Sequence, residues 1–259
     1  MYGLAKKVED FGVRILTGVK VLGFKTEAGS NSVQAVETDQ GTITCQHVVI
    51  GAGPWVRDFW GMLDLPKVIS VMDLDGNVHH NIDMWRFWQL EEGVLAVDPK
   101  ILQTNNGEIP PVIHVDTDAP LISDVDGSVI TDDMWGIYYN PDWHFGGIQG
   151  GAAPYVVETP VDDVSIDPYG PSSPEFISGT EFAHMWVSAL SHCHERFEGM
   201  MPEYNRKPSG GIGCFTPDSF PVIDHFHGNV SVIADSNHGY KMIGVGRLIA
   251  DEIMGDEQD

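Results

Sequence analysis

Two segments near opposite ends of the chain share one pattern, in which an apolar strand runs into a glycine-containing turn and then a helix. The first is ITCQHVVIGAGPWVRDFW, residues 43–60, and the second is VSVIADSNHGYKMIGVGRLIADEI, residues 230–253. Strands that alternate with helices build layers in which helices cover a sheet. Because the two segments are far apart in sequence, they predict one layered domain that is interrupted by an insertion.

The residues between these segments have a different character. Proline, aspartate and glycine divide them into short strands such as PPVIHVDT (110–117), MWGIYYNP (134–141) and HFGGIQGG (144–151). Short strands bounded by such residues are typical of antiparallel sheets. We therefore predict an α+β fold, in which residues 1–66 and 206–259 form an incomplete α/β layer. Residues 67–205 form an inserted antiparallel domain.

Local patterns predict further elements. A helix begins the chain and ends near Gly12, and an apolar stripe from Phe182 to Phe197 recurs at helical spacing, which indicates a core-facing helix. The segments VRIL (13–16) and ITCQHVVIGAG (43–53) each read as one strand, the second buried. A short helix before Pro66 completes the first part of the chain.

Charge and composition limit the classes of partner. The 259 residues include 38 acidic and 14 basic side chains, which give a net charge of −24. Because such an acidic surface repels nucleic acids and anionic lipids, we expect neither as a partner. No apolar run is long enough to span a bilayer, the N-terminus lacks a signal-peptide core, and the three cysteines form no C-x-x-C pair. These features predict a cytoplasmic location.

The turn GAGPWV, residues 51–56, invites a phosphate-binding interpretation. Its glycines would let backbone N–H groups approach a phosphate near a helix N-terminus. The motif does not match the dinucleotide fingerprint, because Val56 stands at the third glycine position and a hairpin precedes the strand. A tight strand–helix turn without a ligand is the alternative.

The turn that precedes the last helix points to an anion. Gly239 permits positive φ, and the helix after it presents the positive end of its dipole. Lys241 adds a cation in the first helical turn, where it is unfavourable unless a negative group lies nearby. An exposed lysine on a surface helix is the alternative.

Histidine-based metal chemistry finds little support in the spacing. His192 and His194 are two apart on a helix and point to different faces, and the pairs at 79–80 and 225–227 are expected in loops. No i, i+4 histidine pair of the zincin type is present, so we predict no metal site. There is also no G-x-S-x-G elbow for a serine nucleophile.

Four blocks, taken in order, resemble the FAD-dependent D-amino-acid-oxidase-like superfamily, in the branch of sarcosine oxidase, glycine oxidase and dimethylglycine dehydrogenase. The blocks are LAKKVEDFGVRILTGVKVLGF, TDQGTITCQHVVIGAGPWVRDF, GIGCFTPDSFPVID and ADSNHGYKMIGVGRLIADEI. They cover about half of the chain, and the region between them matches loosely at GIYYNP and HFGGIQGG. The resemblance implies that the inserted domain binds the substrate.

The resemblance also implies a set of site residues. Val21 would contact the adenine half of FAD through its backbone, and the turn of Ala52, Gly53 and Trp55 would lie near the cofactor. The flavin ring would be contacted by the closing turn, which comprises Ser236, Asn237, His238, Gly239, Tyr240 and Lys241. Lys241 would help hold a substrate carboxylate, while Tyr138 and Tyr139 lie on the strand that lines the substrate side. The candidate catalytic residues are Lys241, Tyr138 and His238.

Departures from the family pattern shape the prediction. The strand–G-x-G-x-x-G–helix segment that in the family grips the FAD pyrophosphate is not in this sequence. We therefore expect the C-terminal portion of an enzyme, which a separate chain that carries this segment would complete. Gly213 replaces a carboxylate-binding arginine, and Gly211 replaces a flavin-linking cysteine, so FAD is expected to bind non-covalently. The segment of residues 70–108, which leads into the inserted domain, is also longer than the corresponding segment usually is in the family.

The predicted function is oxidation of the C–N bond of a small secondary or N-methylated amino acid, of the sarcosine or dimethylglycine kind, by hydride transfer to FAD. One alternative is a truncated, non-catalytic remnant or one half of a split flavoenzyme. The other is a histidine-based metalloenzyme.

Overall fold

The computed structural model describes residues 2–27, 29–144, 146–152, 155–156, 166, 180–205, 210–234 and 242–255. By contacts, the chain forms two compact units. Unit 1 consists of Met1–Met84 and Thr216–Asp259, and unit 2 of Trp85–Phe215. The first boundary lies later than the 66/67 division expected from sequence, because the hairpin that follows residue 67 makes its contacts within unit 1. The second lies later than the expected 205/206 division, because residues 210–215 pair with residues 86–91 of unit 2.

Helices and strands alternate unevenly along the chain. The helices are α1 (Tyr2–Asp10), α2 (Val56–Met62), α3 (Thr180–Cys193) and α4 (Met242–Met254). The first six strands are β1 (Val21–Thr26), β2 (Val33–Thr38), β3 (Gly41–Thr44), β4 (Val48–Ile50), β5 (Val68–Met72) and β6 (Val78–Asp83). Unit 2 holds β7 (Arg86–Leu95), β8 (Ile113–Thr117), β9 (Leu121–Ile122), β10 (Val129–Thr131), β11 (Trp135–Asp142), β12 (Gly147–Ala152), β13 (Tyr155–Val156), β14 (Tyr204–Asn205) and β15 (Gly210–Phe215). The last two strands are β16 (Val222–Phe226) and β17 (Val230–Ala234).

The described residues of unit 1 form three small sheets. Strands β1, β2 and β3 form an antiparallel meander, β5 pairs with β6 in a hairpin, and β16, β17 and β4 form the third sheet. In that third sheet β17 is antiparallel to β16 and parallel to β4, with Val230 opposite Val48 and Val232 opposite Ile50. All five residues of β17 are buried, as expected of a strand at the centre of its sheet.

Two sequence expectations about unit 1 are wrong in detail. Residues 13–16 lie in neither a helix nor a strand. The segment 43–53 is divided between β3 and β4, which belong to different sheets, because the amide of Cys45 bonds to Gln34 and that of Val48 bonds to Asn229. The initial helix and the helix before Pro66 are confirmed as α1 and α2.

Unit 2 is an antiparallel sheet covered on one face by α3. The strand order is β13-β7-β12-β11-β8, and β14 and β15 also pair with β7. The predicted stripe on α3 is core: Phe182, Trp186 and Leu190 are almost fully buried against Leu95, Tyr139 and Ile148 of the sheet. Phe182 and Trp186 stack with an interplanar angle of 12°. The expectation of an α+β fold with an antiparallel insertion is confirmed.

The described part of the chain contains no helix that combines the length and the apolar character needed to cross a membrane.

Candidate functional site

The turn between β4 and α2 lies at the carboxyl end of a parallel strand pair. Strand β4 ends at Ile50 and its parallel neighbour β17 ends at Ala234, so both strands deliver the chain to the same edge of the sheet. Ligands of open α/β sheets bind in the crevice beyond this edge. The residues expected from sequence to contact a cofactor, Ala52, Gly53 and Trp55, follow β4 directly.

The backbone of this turn is accessible. Gly53 adopts φ +55°, and no atom lies within 4 Å of the position that a Cβ would occupy at Gly51 or Gly53. The amide of Trp55 donates to the carbonyl oxygen of Ala52 at 3.2 Å, which closes a 3₁₀ turn over Gly53–Trp55. A bare, left-handed glycine at a strand end lets a ligand approach the main chain closely. These residues therefore fit a cofactor that contacts the backbone.

A single asparagine fixes the opposite end of this strand pair, where β4 and β17 begin, and the sequence did not identify it. Asn229 precedes β17, and its side-chain oxygen accepts from the amide of Val33 at 2.8 Å. Its side-chain nitrogen donates to the carbonyl oxygens of Val33 (2.7 Å) and Gln46 (2.8 Å). Its own carbonyl oxygen accepts from the amide of Val48 at 3.0 Å. Asn229 thus joins the meander to the parallel pair and fixes the start of β4.

His227 makes a second connection from the same loop. Its Nε2 donates to the carbonyl oxygen of Leu63 at 2.6 Å, and its Nδ1 lies 2.8 Å from the side-chain oxygen of Asn31. The end of α2 and the β1–β2 turn are therefore tied to the loop before β17. The only sequence signal for this loop was the HGN turn, which does not reveal what its side chains reach.

Val21, the residue expected to lie near the adenine, begins β1. It pairs with Thr38 of β2 and is partly buried. Val21 therefore belongs to the meander and not to the sheet that carries Ala52 and Gly53. Its proposed contact with a cofactor stays a prediction.

The closing turn lies outside the described residues. This applies to Ser236, Asn237, His238, Gly239, Tyr240 and Lys241, so their predicted roles stay predictions. The helix that follows is described as α4, which carries the predicted pattern from Met242 onward. It is held to β16 by the 3.0 Å contact between Glu252 Oε1 and His225 Nε2, while His225 Nδ1 lies 2.9 Å from the Ser231 hydroxyl.

Tyr138, the candidate catalytic tyrosine, lies on the face of the unit 2 sheet opposite α3. We call this the polar face and define it by Glu92, His114, Tyr138 and Gln149. The register aligns His114 of β8 with Tyr138 of β11, Tyr138 with Gly151 of β12, and Gly151 with Glu92 of β7. Paired residues share a face, so this row crosses four neighbouring strands.

The row is joined by hydrogen bonds. The Tyr138 hydroxyl donates to Oε1 of Glu92, and the Gln149 side-chain nitrogen donates to Oε2 at 2.8 Å. The His114 ring lies 5.8 Å from the Tyr138 ring. Burial, together with the hydrogen bond and the charge of Glu92, raises the pKa of Tyr138 far above its ordinary value, so the hydroxyl stays protonated at neutral pH.

Glycine makes this arrangement possible. A Cβ on Gly151 would lie 2.9 Å from the Tyr138 ring, which crosses β12 to reach Glu92. A Cβ on Gly136 would lie 2.2 Å from the Asp116 carboxylate, which lies over β11 in the same way. The glycines of GIYYNP and HFGGIQGG therefore leave room for side chains from the neighbouring strands.

Tyr139, the neighbour that was also expected on the substrate side, is a core residue instead. It is completely buried on the α3 face, where its hydroxyl lies 2.9 Å from Nε2 of His194. Burial raises the pKa of Tyr139 to about 12 and lowers that of His194. Alternation along β11 explains the difference, because consecutive side chains leave a strand on opposite faces.

Position 213, where the family pattern has an arginine, is closely packed. Gly213 of β15 pairs with Trp88, and a Cβ there would lie 2.4 Å from the Phe215 ring. Phe215 is itself buried and lies 5.9 Å from the Trp88 ring. A side chain at position 213 would therefore have to displace Phe215.

Several of the described histidines make structural contacts. His79 and His80 lie in β6 and His225 lies in β16, so the expectation that these residues occupy loops is wrong. His79 Nε2 lies 2.8 Å from the Asp73 carboxylate, and His192 contacts the ring of Trp135 edge-on at 5.3 Å. Within the described ranges, no group of three or more His, Cys, Asp or Glu side chains is placed to hold a metal ion.

The first part of the sequence matches a known protein family. Residues 1–80 match the model of the DAO family, which is described as FAD dependent oxidoreductase. That match covers α1 to the start of β6 and includes the turn at Gly53. It agrees with the resemblance to the superfamily for this part of the chain and does not identify a branch within the superfamily. No curated protein matches the sequence.

Solved structures share the fold over almost the whole chain. L-proline dehydrogenase from P. horikoshii superposes with a TM-score of 0.59 and 19% identity, over 98% of this chain and 54% of that protein. Glycine oxidase from Geobacillus kaustophilus gives 0.60 and 15%, over 99% and 54%. L-amino acid deaminase from Proteus vulgaris gives 0.60 and 15%, over 99% and 58%. The chain thus spans a little over half the length of these neighbours, and the likeness shows the fold.

Proposed function

We propose that this chain forms part of an FAD-dependent oxidoreductase that oxidises the C–N bond of a small secondary or N-methylated amino acid. The observation that carries the proposal is the match of residues 1–80 to the FAD dependent oxidoreductase family. The neighbours in fold support an amino acid as the substrate class, since they include a proline dehydrogenase, a glycine oxidase and an amino acid deaminase.

Unit 1 would hold FAD at the edge where β4 and β17 end. The exposed backbone at Gly51 and Gly53 suits close approach of the cofactor. Val21, Ala52 and Trp55 are proposed as further contacts, as is the segment from Ser236 to Lys241. When bound, FAD supplies the electron-accepting chemistry, and the protein binds and orients the substrate.

Three residues are proposed to act on the substrate. Lys241 is proposed to attract a substrate carboxylate, and His238 and Tyr138 are proposed as further residues of the catalytic site. Tyr138 stays protonated, so its hydroxyl acts as a hydrogen-bond donor and acceptor and does not serve as a base at neutral pH.

The proposal includes a further FAD-binding segment, carried upstream on the same polypeptide or on a separate chain. Several large apolar side chains of unit 1 are exposed, including Phe11 (76%), Leu16 (57%) and Leu22 (55%). Exposed apolar side chains of this size are candidates for contact with such a segment.

The test uses the chain together with a strand–G-x-G-x-x-G–helix segment from its own genomic neighbourhood. We expect the purified assembly to bind FAD without a covalent bond and to show the yellow colour of a flavoprotein. N-methylglycine should bleach that colour in the absence of oxygen. A colourless protein, or a flavin that no amino acid reduces, contradicts the proposal.

A pair of glycine variants locates the cofactor. Gly53→Val places a side chain at a positive φ beside the proposed site, and we expect FAD affinity to fall about tenfold or more, since backbone approach is blocked. Gly76→Val is the matched control, because Gly76 also has positive φ (+84°) and open space around it but lies in the β5–β6 turn. Equal losses in the two variants would place FAD elsewhere.

A further inference from the structure

Strand β8 forms an open edge of the sheet in unit 2. Among the residues that the structure describes, β11 is the one strand that pairs with β8, and β8 ends the strand order. Its sequence is IHVDT, in which the side chains of His114 and Asp116 are exposed. The unpaired main-chain groups of an edge strand can form hydrogen bonds with a strand from another polypeptide. The free side of β8 is therefore a place where a further strand can add.

Exposed apolar side chains of unit 2 concentrate next to this edge. Apart from Trp143, every exposed large apolar side chain in the described part of the unit lies between residues 112 and 134. This segment comprises β8, the β9–β10 hairpin that follows it and the residues before β11. The side chains are Val112, Ile122, Val125, Val129 and Met134. A polypeptide added at β8 would meet Val112 at one end of the strand and the hairpin at the other, and burial of apolar area there favours association.

The β9–β10 hairpin is held to α3, so this surface is already formed. The amide of Asp124 donates to the Ser188 hydroxyl at 3.1 Å, and its carboxylate accepts from the Ser191 hydroxyl at 2.9 Å. The other carboxylate oxygen of Asp124 accepts from the amide of Gly199 at 2.7 Å. A surface that is ordered before binding loses little conformational entropy when a partner binds. The hairpin therefore suits a contact between proteins.

The sequence of β8 is complementary to itself. If two copies pair antiparallel with Val115 opposite Val115, then His114 of each copy lies opposite Asp116 of the other. A histidine ring donates an N–H to a carboxylate, and such cross-strand pairs stabilise a sheet. Two-fold symmetry forms this pair twice. Centring the pair on His114 or on Asp116 would instead place that residue opposite its own copy, so the side chains select the register centred on Val115.

Charge opposes this association at long range. The chain carries a net charge of −24, and residues 112–134 contain aspartates but no lysine or arginine. At an ionic strength of about 0.15 M, repulsion between exposed charges is largely screened beyond about 8 Å. The contacts within a strand pair are shorter than this distance. They therefore decide the affinity at physiological salt.

We propose that β8 is a self-association edge, at which two copies of this chain pair their β8 strands antiparallel about Val115. The occupant is a second copy because the strand complements its own sequence. The sheets of the two copies then continue into one another across the two-fold axis. This inference goes beyond the proposed function, since it involves neither the flavin nor the amino acid.

A charge swap tests the pairing. The dissociation constant of the dimer is measured by analytical ultracentrifugation of the purified full chain in about 0.15 M salt. His114→Asp sets two carboxylates opposite each other in both pairs, and we expect the dissociation constant to rise at least about tenfold. The double variant His114→Asp/Asp116→His sets a histidine opposite an aspartate again and should recover most of the affinity. Circular dichroism melting curves check that each variant is folded.

A thiol on the symmetry axis gives a second measurement. Opposite residues of an antiparallel pair have Cα atoms about 4.5–5.5 Å apart, which a disulfide can span. We therefore expect Val115→Cys to form a covalent dimer when diamide oxidises it. Val112→Cys is the matched control, because residue 112 lies opposite residue 118 and its two copies are about 20 Å apart. The native cysteines are present in both variants, so a difference between the two reports the introduced thiol.

Three results overturn the proposal. The first is a wild-type chain that stays monomeric up to about 0.1 mM. The second is a folded double variant that associates no better than His114→Asp. The third is equal cross-linking of Val115→Cys and Val112→Cys, which also decides the matter should His114→Asp not fold.

Discussion

Each of the two units is stabilised internally in a different way. Unit 2 has a continuous apolar core, in which one helix packs its stripe onto one face of a sheet. Unit 1 has several small sheets, and the side chain of Asn229 supplies hydrogen bonds between two of them. A substitution that removes a buried apolar side chain should therefore have its largest effect on stability in unit 2. Loss of a single polar side chain should have its largest effect in unit 1.

The largest effect is expected at Trp186. This side chain is completely buried between α3 and the sheet, close to Gly150. Trp186→Ala would leave a large cavity and lower the free energy of unfolding by about 3–5 kcal/mol, measured by urea denaturation. Trp186→Phe should cost much less. It keeps the stacking with Phe182, and it removes an indole N–H for which the described residues offer no partner. Equal losses in the two variants would contradict this account of the core.

Asn229 tests the polar connection in unit 1. Asn229→Ala removes one accepted and two donated side-chain hydrogen bonds, so we expect a loss of about 2–4 kcal/mol in the free energy of unfolding. Hydrogen exchange should become faster at the amides of Val33 and Val48, which these contacts fix. The exposed Asn105 of unit 2 is the control, and its replacement by alanine should change stability little. If both variants behave alike, Asn229 does not join the two sheets.

These two residues also show what the sequence could predict. Trp186 belongs to a stripe at helical spacing, and such a pattern reports burial directly because one helix face meets the core. The contacts of Asn229 reach residues 196 and 183 positions away, so no local pattern reveals them. For the same reason the sequence predicted a strand at 43–53 but not its division between two sheets.

In the candidate site, too, local features could be predicted from the sequence and long-range contacts could not. The strand–turn–helix pattern correctly placed the turn of Ala52 and Gly53 at the end of a strand, because turn residues and periodicity are local features. Which of Tyr138 and Tyr139 faces the core depends on where α3 packs, and an alternating strand leaves that choice open. The contact of Glu92 with Tyr138 depends on strand order, since β12 lies between their strands.

A smaller effect is expected at Gly213, where family resemblance and packing disagree. Gly213→Ala places a Cβ against the buried Phe215 ring, so the ring must shift, and we expect a loss of about 1–3 kcal/mol in the free energy of unfolding. Gly244→Ala is the control, because Gly244 lies inside α4 with nothing near its Cβ position. That change should stabilise the protein by about 0.5–1 kcal/mol, since alanine favours a helix. A neutral Gly213→Ala variant would show that the position can accept a side chain.

The smallest effect is expected at the surface of unit 1. A hydrogen bond from His79, with others from Asn77 and Asp75, lowers the pKa of Asp73 to about 2. A carboxyl whose pKa is lower in the folded state stabilises the fold above its unfolded pKa of about 4, and this stabilisation is lost as the pH falls through about 2. Asp73→Asn should therefore lower the urea midpoint slightly at about pH 6, and the difference from the unmodified protein should disappear towards about pH 2. The effect is small because the loop is exposed and water screens its charges. A difference that grows as the pH falls has the wrong sign for this mechanism, and it would show that the contact between His79 and Asp73 does not support the β5–β6 hairpin.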